Sequence, residues 1–520
     1  MMKFNVIVKT ATSLTIELAN EDIVTSSIAY DVYMNDEKIL EANTQNVFSV
    51  YNLKPNTEYY IKLIDANDSI ATALVQTAIE SICLNVRRFN AIGDGRTDDT
   101  QAIQAAIMAC PKYGRVLIPA GNYVVKTIFL KSDMTLEIAK GATLSYAGAF
   151  YEGAVLPGYL VDPFGEEYYL GSWEGNPLDT YTALIQGINI QNVNIIGEGV
   201  LEGNGHHFWD YPKVKKGAWR PRLLQIIHSK FVTVQGITLQ NSPSWTIHPL
   251  FSDALVFADL KIINPKDSPN TDGLNPESCN RVLIAGVYFS VGDDCIAIKA
   301  GKIYLGRKLK RSTQHVTIRN CSMNFGHGAV VIGSEMAGGV KNITVSQCLF
   351  NETDRGLRIK TRRGRGKDAI IDGIHFKNIK MDGVLAPLVI NNFYFCDPDG
   401  HSEYVRTKEK LPVDDRTPYI GKLTFENIEA KNSEISAGFF YGLPEQPIEE
   451  LVLKNCNFTF ATDAKPGYPA MMEDIPNYCK AGLIFNHVKS IMIRNVTLDG
   501  TVGEKITLND VDEVIMDHVD

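Results

Sequence analysis

The chain has 520 residues, 45% hydrophobic and 21% charged, and a formal net charge of −9. These proportions describe a well-cored globular protein, too long for one ordinary domain unless the fold is an elongated repeat. No apolar run approaches the roughly 18 residues of a membrane span, and the acidic balance disfavours general nucleic-acid binding, so neither a membrane nor a nucleic acid is an expected partner.

The opening MMKFNVIVKTATSLTIEL alternates apolar with polar residues and has no continuous hydrophobic stretch or small-residue cleavage site. No export signal is read there. A cytoplasmic location is expected, or a secreted or periplasmic one if a leader has been removed. The nine cysteines are scattered at 83, 110, 279, 295, 321, 348, 396, 456 and 479, without a C-x-x-C pair. That pattern argues against a disulfide framework and a zinc site and for buried free thiols.

Residues 1–80 read as seven short alternating strands, from KFNVIV to ATALVQT, which predicts a small β-sandwich. Within it LKPNTEYYI, with Leu53, Pro55, Thr57 and Tyr59, resembles the fibronectin type III pattern. In that family the tyrosine hydroxyl bonds nearby backbone.

From NAIGDGRTDDTQAIQAAIMAC the character changes. Thr97 or Asp98 is expected to cap a short helix with Ile103 and Ile107 on one face. Residues 81–520 then repeat one template: an alternating strand, a polar or glycine turn and a second short strand, as in NVNIIGEGVLEGNG, HVTIRNCSMNFGHG and VKSIMIRNVTLDG. The repeats lack helices between them and predict an all-β right-handed parallel β-helix with one coil per repeat. Asn or Cys at the turns, including Cys321, Cys348 and Cys456, is expected to stack between coils as packing. Residues 146–182 and 386–420 break the rhythm, and long irregular segments on a regular scaffold are candidate functional loops.

Four polar clusters end strands of successive repeats: SPNTDG, GDDC, GHG and RIK. Equivalent points of adjacent coils lie about 4.8 Å apart, so Asp272, Asp293, Asp294, His327, Arg358 and Lys360 can share one patch. Adjacent side chains of a regular strand face opposite ways, so the Asp293–Asp294 pair needs a bend, which Gly292 predicts.

This order, NTD, DDC, GHG, RIK, resembles the polygalacturonases, pectin-cleaving glycoside hydrolases (family 28) built on a parallel β-helix, over roughly residues 82–520. The resemblance implies Asp293 as general acid, Asp272 and Asp294 as the carboxylates that hold and deprotonate water, and His327 as the partner that tunes the acid. It also implies Arg358 and Lys360 as cations gripping galacturonate carboxylates, inversion of configuration, a galacturonan substrate, and no metal or cofactor. Asn270, Arg220, Arg222 and Tyr394 are further candidates for substrate binding, with His248 a weaker one. Many family members carry an acid where this chain has Asn275.

Independently, glycoside hydrolysis needs one protonated and one ionised carboxyl group, and crowded acids separate one another's proton affinities. The run DRGLRIKTRRGRGKD adds Arg355, Arg362, Arg363, Arg365 and Lys367 to the two named cations and suits an acidic polymer. Exo action is favoured over endo action because the two irregular segments can wall off one end of a cleft. A rhamnogalacturonan or xylogalacturonan hydrolase, a calcium-dependent pectate lyase and a non-catalytic carbohydrate-binding β-helix are the alternatives.

Overall fold

The computed structural model describes residues 2–147, 154–209 and 218–520. Phe4–Lys9, Leu14–Leu18 and Val47–Val50 form one antiparallel sheet, and Glu37–Gln45, Thr25–Met34, Glu58–Asp65 and Ile70–Gln76 form another. Leu14, Ile16, Val32, Ile61 and Leu63 fill the space between them. The Tyr59 hydroxyl accepts the Lys54 N–H at 2.8 Å, tying the turn before the sixth strand.

From Cys83 onward the strands pair in parallel, coil upon coil, apart from three short antiparallel pairs within residues 155–181. Alternation dictates which side chains go inside. One inward column runs Val232, Leu255, Val282, Val316, Ile343, Ile374, Leu423, Leu451 and Ile491, each in register with the next. All nine are buried in one continuous core. The helix Thr100–Ala109 covers the first coil with Ile103, Ala106 and Ile107. Its N-cap position is Asp99 rather than Thr97 or Asp98, and the Asp99 side chain makes no capping bond. Asp98 instead accepts the Thr100 N–H at 3.0 Å, while Asp99 accepts the Ile92 and Gly93 N–H groups at 2.6 and 2.9 Å. Asp99 is thus spent on holding the preceding loop.

The turns stack as well. Asn427 donates to Asn378 at 2.8 Å, Asn455 to Asn427 at 3.0 Å and Asn495 to Asn455 at 3.0 Å. These four asparagines have φ between 53° and 55°, a left-handed conformation that Asn tolerates better than other side-chain-bearing residues. The nine cysteines are free, with Cys321, Cys348 and Cys456 buried.

The sandwich is docked on the β-helix through the second face of Leu14–Leu18. Leu14 and Ile16 point into the sandwich, so Thr15 and Glu17 point out, yet both are buried. Glu17 takes Arg319 through two 2.7 Å bonds and Asn320 through one of 2.9 Å. Gln235 accepts from Ser13 at 2.6 Å and donates to Thr15 at 2.7 Å. A strand that reads as half solvated is therefore covered on both faces. No helix among the described residues is long and apolar enough to cross a membrane.

Asn427→Ala removes two rungs of the ladder and places alanine at positive φ. The expected cost is about 1–2 kcal/mol, measured as a lowered thermal midpoint relative to a substitution at the exposed Asn67.

Candidate active site

The strand Tyr288–Ser290 ends in a bend at Gly292 and Asp293, and a new strand begins at Ile296. Gly292 is required by close approach: an added Cβ would stand 2.4 Å from the Ser268 carbonyl oxygen and 2.7 Å from that of Pro265. The bend lets both acids of the pair face one site. Asp272 reaches it from the preceding coil, where Leu274 bridges to Ile296. Asp272, Asp293 and Asp294 each offer an oxygen within 4.8 Å of the others.

Hydrogen bonds distinguish the three. Asp293 accepts the Asp294 backbone N–H at 2.9 Å. Asp294, 1% exposed, takes Lys360 at 2.8 Å on one oxygen and has the Arg358 guanidinium at 3.6 Å from the other. At Gly328 of the intervening coil an added Cβ would stand 2.4 Å from Val331 Cγ2, and only at contact distance, 3.4 Å, from Asp294 Oδ1. Asp272 accepts the Asn275 amide at 2.7 Å. A carboxylate at 275 could donate there only when protonated, so this chain replaces an acid–acid contact with a fixed donor.

These surroundings separate the proton affinities. Burial, then the charge of Asp293, pushes Asp272 well above the usual carboxylate range, and Lys299 and the Asn275 bond oppose this only in part. Burial and Asp294 raise Asp293, against Lys360 and His327. Burial would also raise Asp294, but Lys360 and then Arg358 outweigh it and hold that carboxyl below its ordinary value. Three strongly coupled acids titrate as a unit. Burial thus favours the protonated form at Asp272 and Asp293, whereas Lys360 and Arg358 favour the ionised form at Asp294.

Asn270, Asp272, Asp293, Asp294, His327, Arg358, Lys360 and Tyr394 line one pocket of about 410 Å³. Arg220 and Arg222 do not. Arg222 is enclosed between the Trp173 and Trp245 rings, 4.8 and 4.6 Å from their centroids, and donates to the Ser172 and Arg220 carbonyls. Arg220 donates to the Pro243 and Pro269 carbonyls and to Asn270 at 2.5 Å. Both arginines shape the wall behind Asn270 and do not face the pocket. His248 lies beneath the site, bonded at 2.9 Å to Glu277, both fully buried.

The distal cations are also spent internally. Arg362 pairs with Asp397 and Asp399 at 2.9 and 2.8 Å, Arg363 with Glu445 at 2.6 Å, and Arg365 with Asp397 at 3.4 Å. All three are buried, so they anchor the 386–420 insertion and leave no free basic face for a polymer. Arg355 donates to the Tyr468 and Pro469 carbonyls, fixing a third irregular segment, 461–480, whose Met471 sulfur receives Arg358 at 3.1 Å.

Several pocket residues were missed. Glu174, Asp397 and Met471 come from the irregular segments, which carry no periodic signal. Lys299 was legible: in CIAIK, Ile296 and Ile298 go to the core, so Ala297 and Lys299 face outward. Lys299 pairs with Glu335 at 2.8 Å and lies 4.5 Å from the Trp245 ring centroid. A larger cavity, about 810 Å³, lies between the 78–80 linker and the outer sheet face around Phe231, and none of the three carboxylates reaches it.

A parallel β-helix whose stacked bends gather an ionised carboxylate, a proton-retaining carboxyl and two cations defines a glycoside hydrolase. The sequence profile of Glycosyl hydrolases family 28 matches residues 111–462. A probable polygalacturonase of Vitis vinifera is 30% identical over 391 residues, 72% of this chain and 74% of that one. An endo-polygalacturonase of Pectobacterium carotovorum is 32% identical over 314 residues, 57% of this chain and 72% of that one. The solved structure of a family 28 exopolygalacturonase from Yersinia enterocolitica shares the fold at TM-score 0.64 and 21% identity, covering 100% of this chain and 98% of that one. The chain belongs to family 28 of the glycosyl hydrolases.

Gly292→Ala forces the bend away from Ser268. Hydrolytic activity is expected to fall by about a hundredfold, the order of cost for a displacement near 1 Å, while the far-ultraviolet β spectrum is retained. Unchanged kcat would show that the bend does not set the geometry.

Proposed function

We propose that the protein hydrolyses the α-1,4 bonds of galacturonan from the non-reducing end. The observation that carries the catalytic reading is the unequal surroundings of neighbouring acids: Lys360 at 2.8 Å holds Asp294 down, while burial and the Asp294 charge push Asp293 up. Asp293 protonates the departing glycosidic oxygen. Asp294, already ionised, accepts a proton from the attacking water, which Asp272 helps to hold. Arg358 and Lys360 receive the substrate carboxylate, the geometry for which a guanidinium fork is suited.

Inversion is the stereochemical reading. The oxygen separation below 4.8 Å is shorter than the roughly 6.5–9.5 Å common between the carboxyl groups of inverting enzymes. The third carboxylate supports inversion despite the shorter separation. A retaining enzyme needs only a nucleophile and an acid, whereas here two carboxyl groups remain to hold water, and Lys360 and Arg358 restrain the nucleophilicity of Asp294.

Exo action is supported by what stands at the pocket end. Lys302 lies 3.7 Å from Glu174 of the 146–182 segment and 3.0 Å from Asp397 of the 386–420 segment. This ion-pair set ties the two insertions together beside the pocket, which Glu174 and Asp397 line, and so supports a closed end.

Asp293→Asn and Asp294→Asn are each expected to lower reducing-sugar release on polygalacturonate by about a thousandfold. Full activity in both would overturn the site, and unsaturated, ultraviolet-absorbing products would identify a lyase. In the unsubstituted enzyme kcat/KM should be bell-shaped. Activity is lost as pH falls through the depressed Asp294 step, because the base becomes protonated. It is lost again as pH rises through the elevated Asp293 step, because the acid gives up its proton.

A time course on oligogalacturonides labelled at the reducing end tests the rest. Release of mono- or disaccharide from the unlabelled end, appearing first as the β anomer by proton NMR, is expected. A ladder of mid-length products would overturn exo action, and an initial α anomer would overturn inversion.

A further inference from the structure

His327 occupies the middle of a three-coil stack at the bends. Its backbone N–H donates to the Asp293 carbonyl at 3.2 Å, and the Asp354 N–H of the next coil donates to the Gly326 carbonyl at 3.0 Å. Gly326 has φ +82°, and an added Cβ there would lie 2.3 Å from the Asp293 carbonyl oxygen, so the turn rests directly on the Asp293 backbone. Side chains repeat the order. His327 Nδ1 and Asp354 Oδ2 are 2.8 Å apart, and both residues line the pocket that holds Asp293. Asp354 lies outside the NTD, DDC, GHG and RIK clusters, four residues before Arg358.

The bond consumes one ring nitrogen and makes Nδ1 the protonated one when the imidazole is neutral, which leaves Nε2 for the pocket. A carboxylate on Nδ1 also favours a proton on both nitrogens. We propose that Asp354 is a positioning residue that orients His327 and keeps it cationic beside Asp293. The inference rests on the reading of Asp293 as the general acid. As Asp293 surrenders its proton, a fixed positive charge then faces the carboxylate being formed, and preorganised charge of this kind acts without reorganisation.

The charges around His327 support this role. The preceding coils present Asp293, Asp294 and Lys266, and the following coil presents Glu352, Asp354, Arg355 and Arg358, with Glu434 and Asp463 on the rim of the adjoining groove. The Arg355 guanidinium donates to backbone carbonyls and acts on the Asp354 carboxylate only through space, whereas His327 bonds it directly. The imidazole is held above its ordinary value first by the Asp354 bond, against partial burial, with Asp293 and Asp294 adding to the effect. Asp354 is correspondingly low, burial being outweighed by His327.

Asp354→Asn keeps the shape and an acceptor and removes the charge. The expected result is a kcat lowered about tenfold or more with KM little changed, and an alkaline limb of kcat/KM moved toward alkaline pH, because a neutral His327 no longer lowers Asp293. Asp354→Glu should restore the limb. In a His327→Gln background the same Asp354→Asn change should cost almost nothing, because the two residues act as one device. A superimposable pH profile, or equal costs in both backgrounds, would overturn the proposal. Thermal midpoints of the variants report folding separately. If Asp293→Asn is active, the catalytic reading itself fails; if it is inactive while the cycle is additive, only the Asp354 inference fails.

Discussion

Each coil must set its backbone donors on the acceptors of the next, and that constraint governs both the core and the site. In-register stacking aligns Val282 with Val316 and Ile343 inside the solenoid. The same operation aligns the bends outside it. Asp293, His327 and Asp354 come from three repeats yet are joined by consecutive backbone and side-chain bonds. Once the inner side chains have chosen a register, the outer groups have no freedom to slip, because a one-residue shift would turn the core outward. A rigid scaffold thus places catalytic groups at the spacing of β-strands, without a loop having to be ordered for the purpose.

That rigidity comes with a burden of buried charge. Asp272 and Asp294 are almost fully enclosed, where an isolated carboxylate is strongly disfavoured. The protein solves the problem differently for each. Asp294 is matched by Lys360 and approached by Arg358, so it stays ionised. Asp272 has the Asn275 amide but no direct cation, and it responds by holding its proton. The difference between base and proton reservoir therefore follows from which strand-end residue of a later coil is cationic.

The repeat, the inward alternation and the four polar clusters were legible because each rests on local periodicity. So was the bend at Gly292, since two adjacent acids on a flat strand cannot share a face. What resisted reading depends on contacts distant in sequence. Arg222 and the run from Arg362 to Arg365 look like free cations in a polar string, but their partners Trp173, Trp245, Asp397 and Glu445 lie 23 to 82 residues away. Glu17 seemed solvent-facing until the β-helix covered it with Arg319, some three hundred residues downstream. Asp354 carries no sequence signal beyond its stack position, and Glu174, Asp397 and Met471 belong to segments where no periodicity exists to be used.

The pocket holds seven carboxyl groups against four lysines and arginines and one histidine, a poor receptor for a uronate if every acid were ionised. The elevated groups correct this. Asp272, Asp293 and Glu174 are all pushed up, each first by burial, so the acids that remain charged are chiefly those already paired. Asp294 faces Lys360, Glu335 faces Lys299, Asp397 faces Lys302, and Asp354 faces His327. On the proposed reading, the same burial that favours a proton on Asp293 also lessens the negative charge of the cavity. Binding and chemistry are tied to the same protons, because the strands that bury the carboxyl groups also form the wall the substrate must approach.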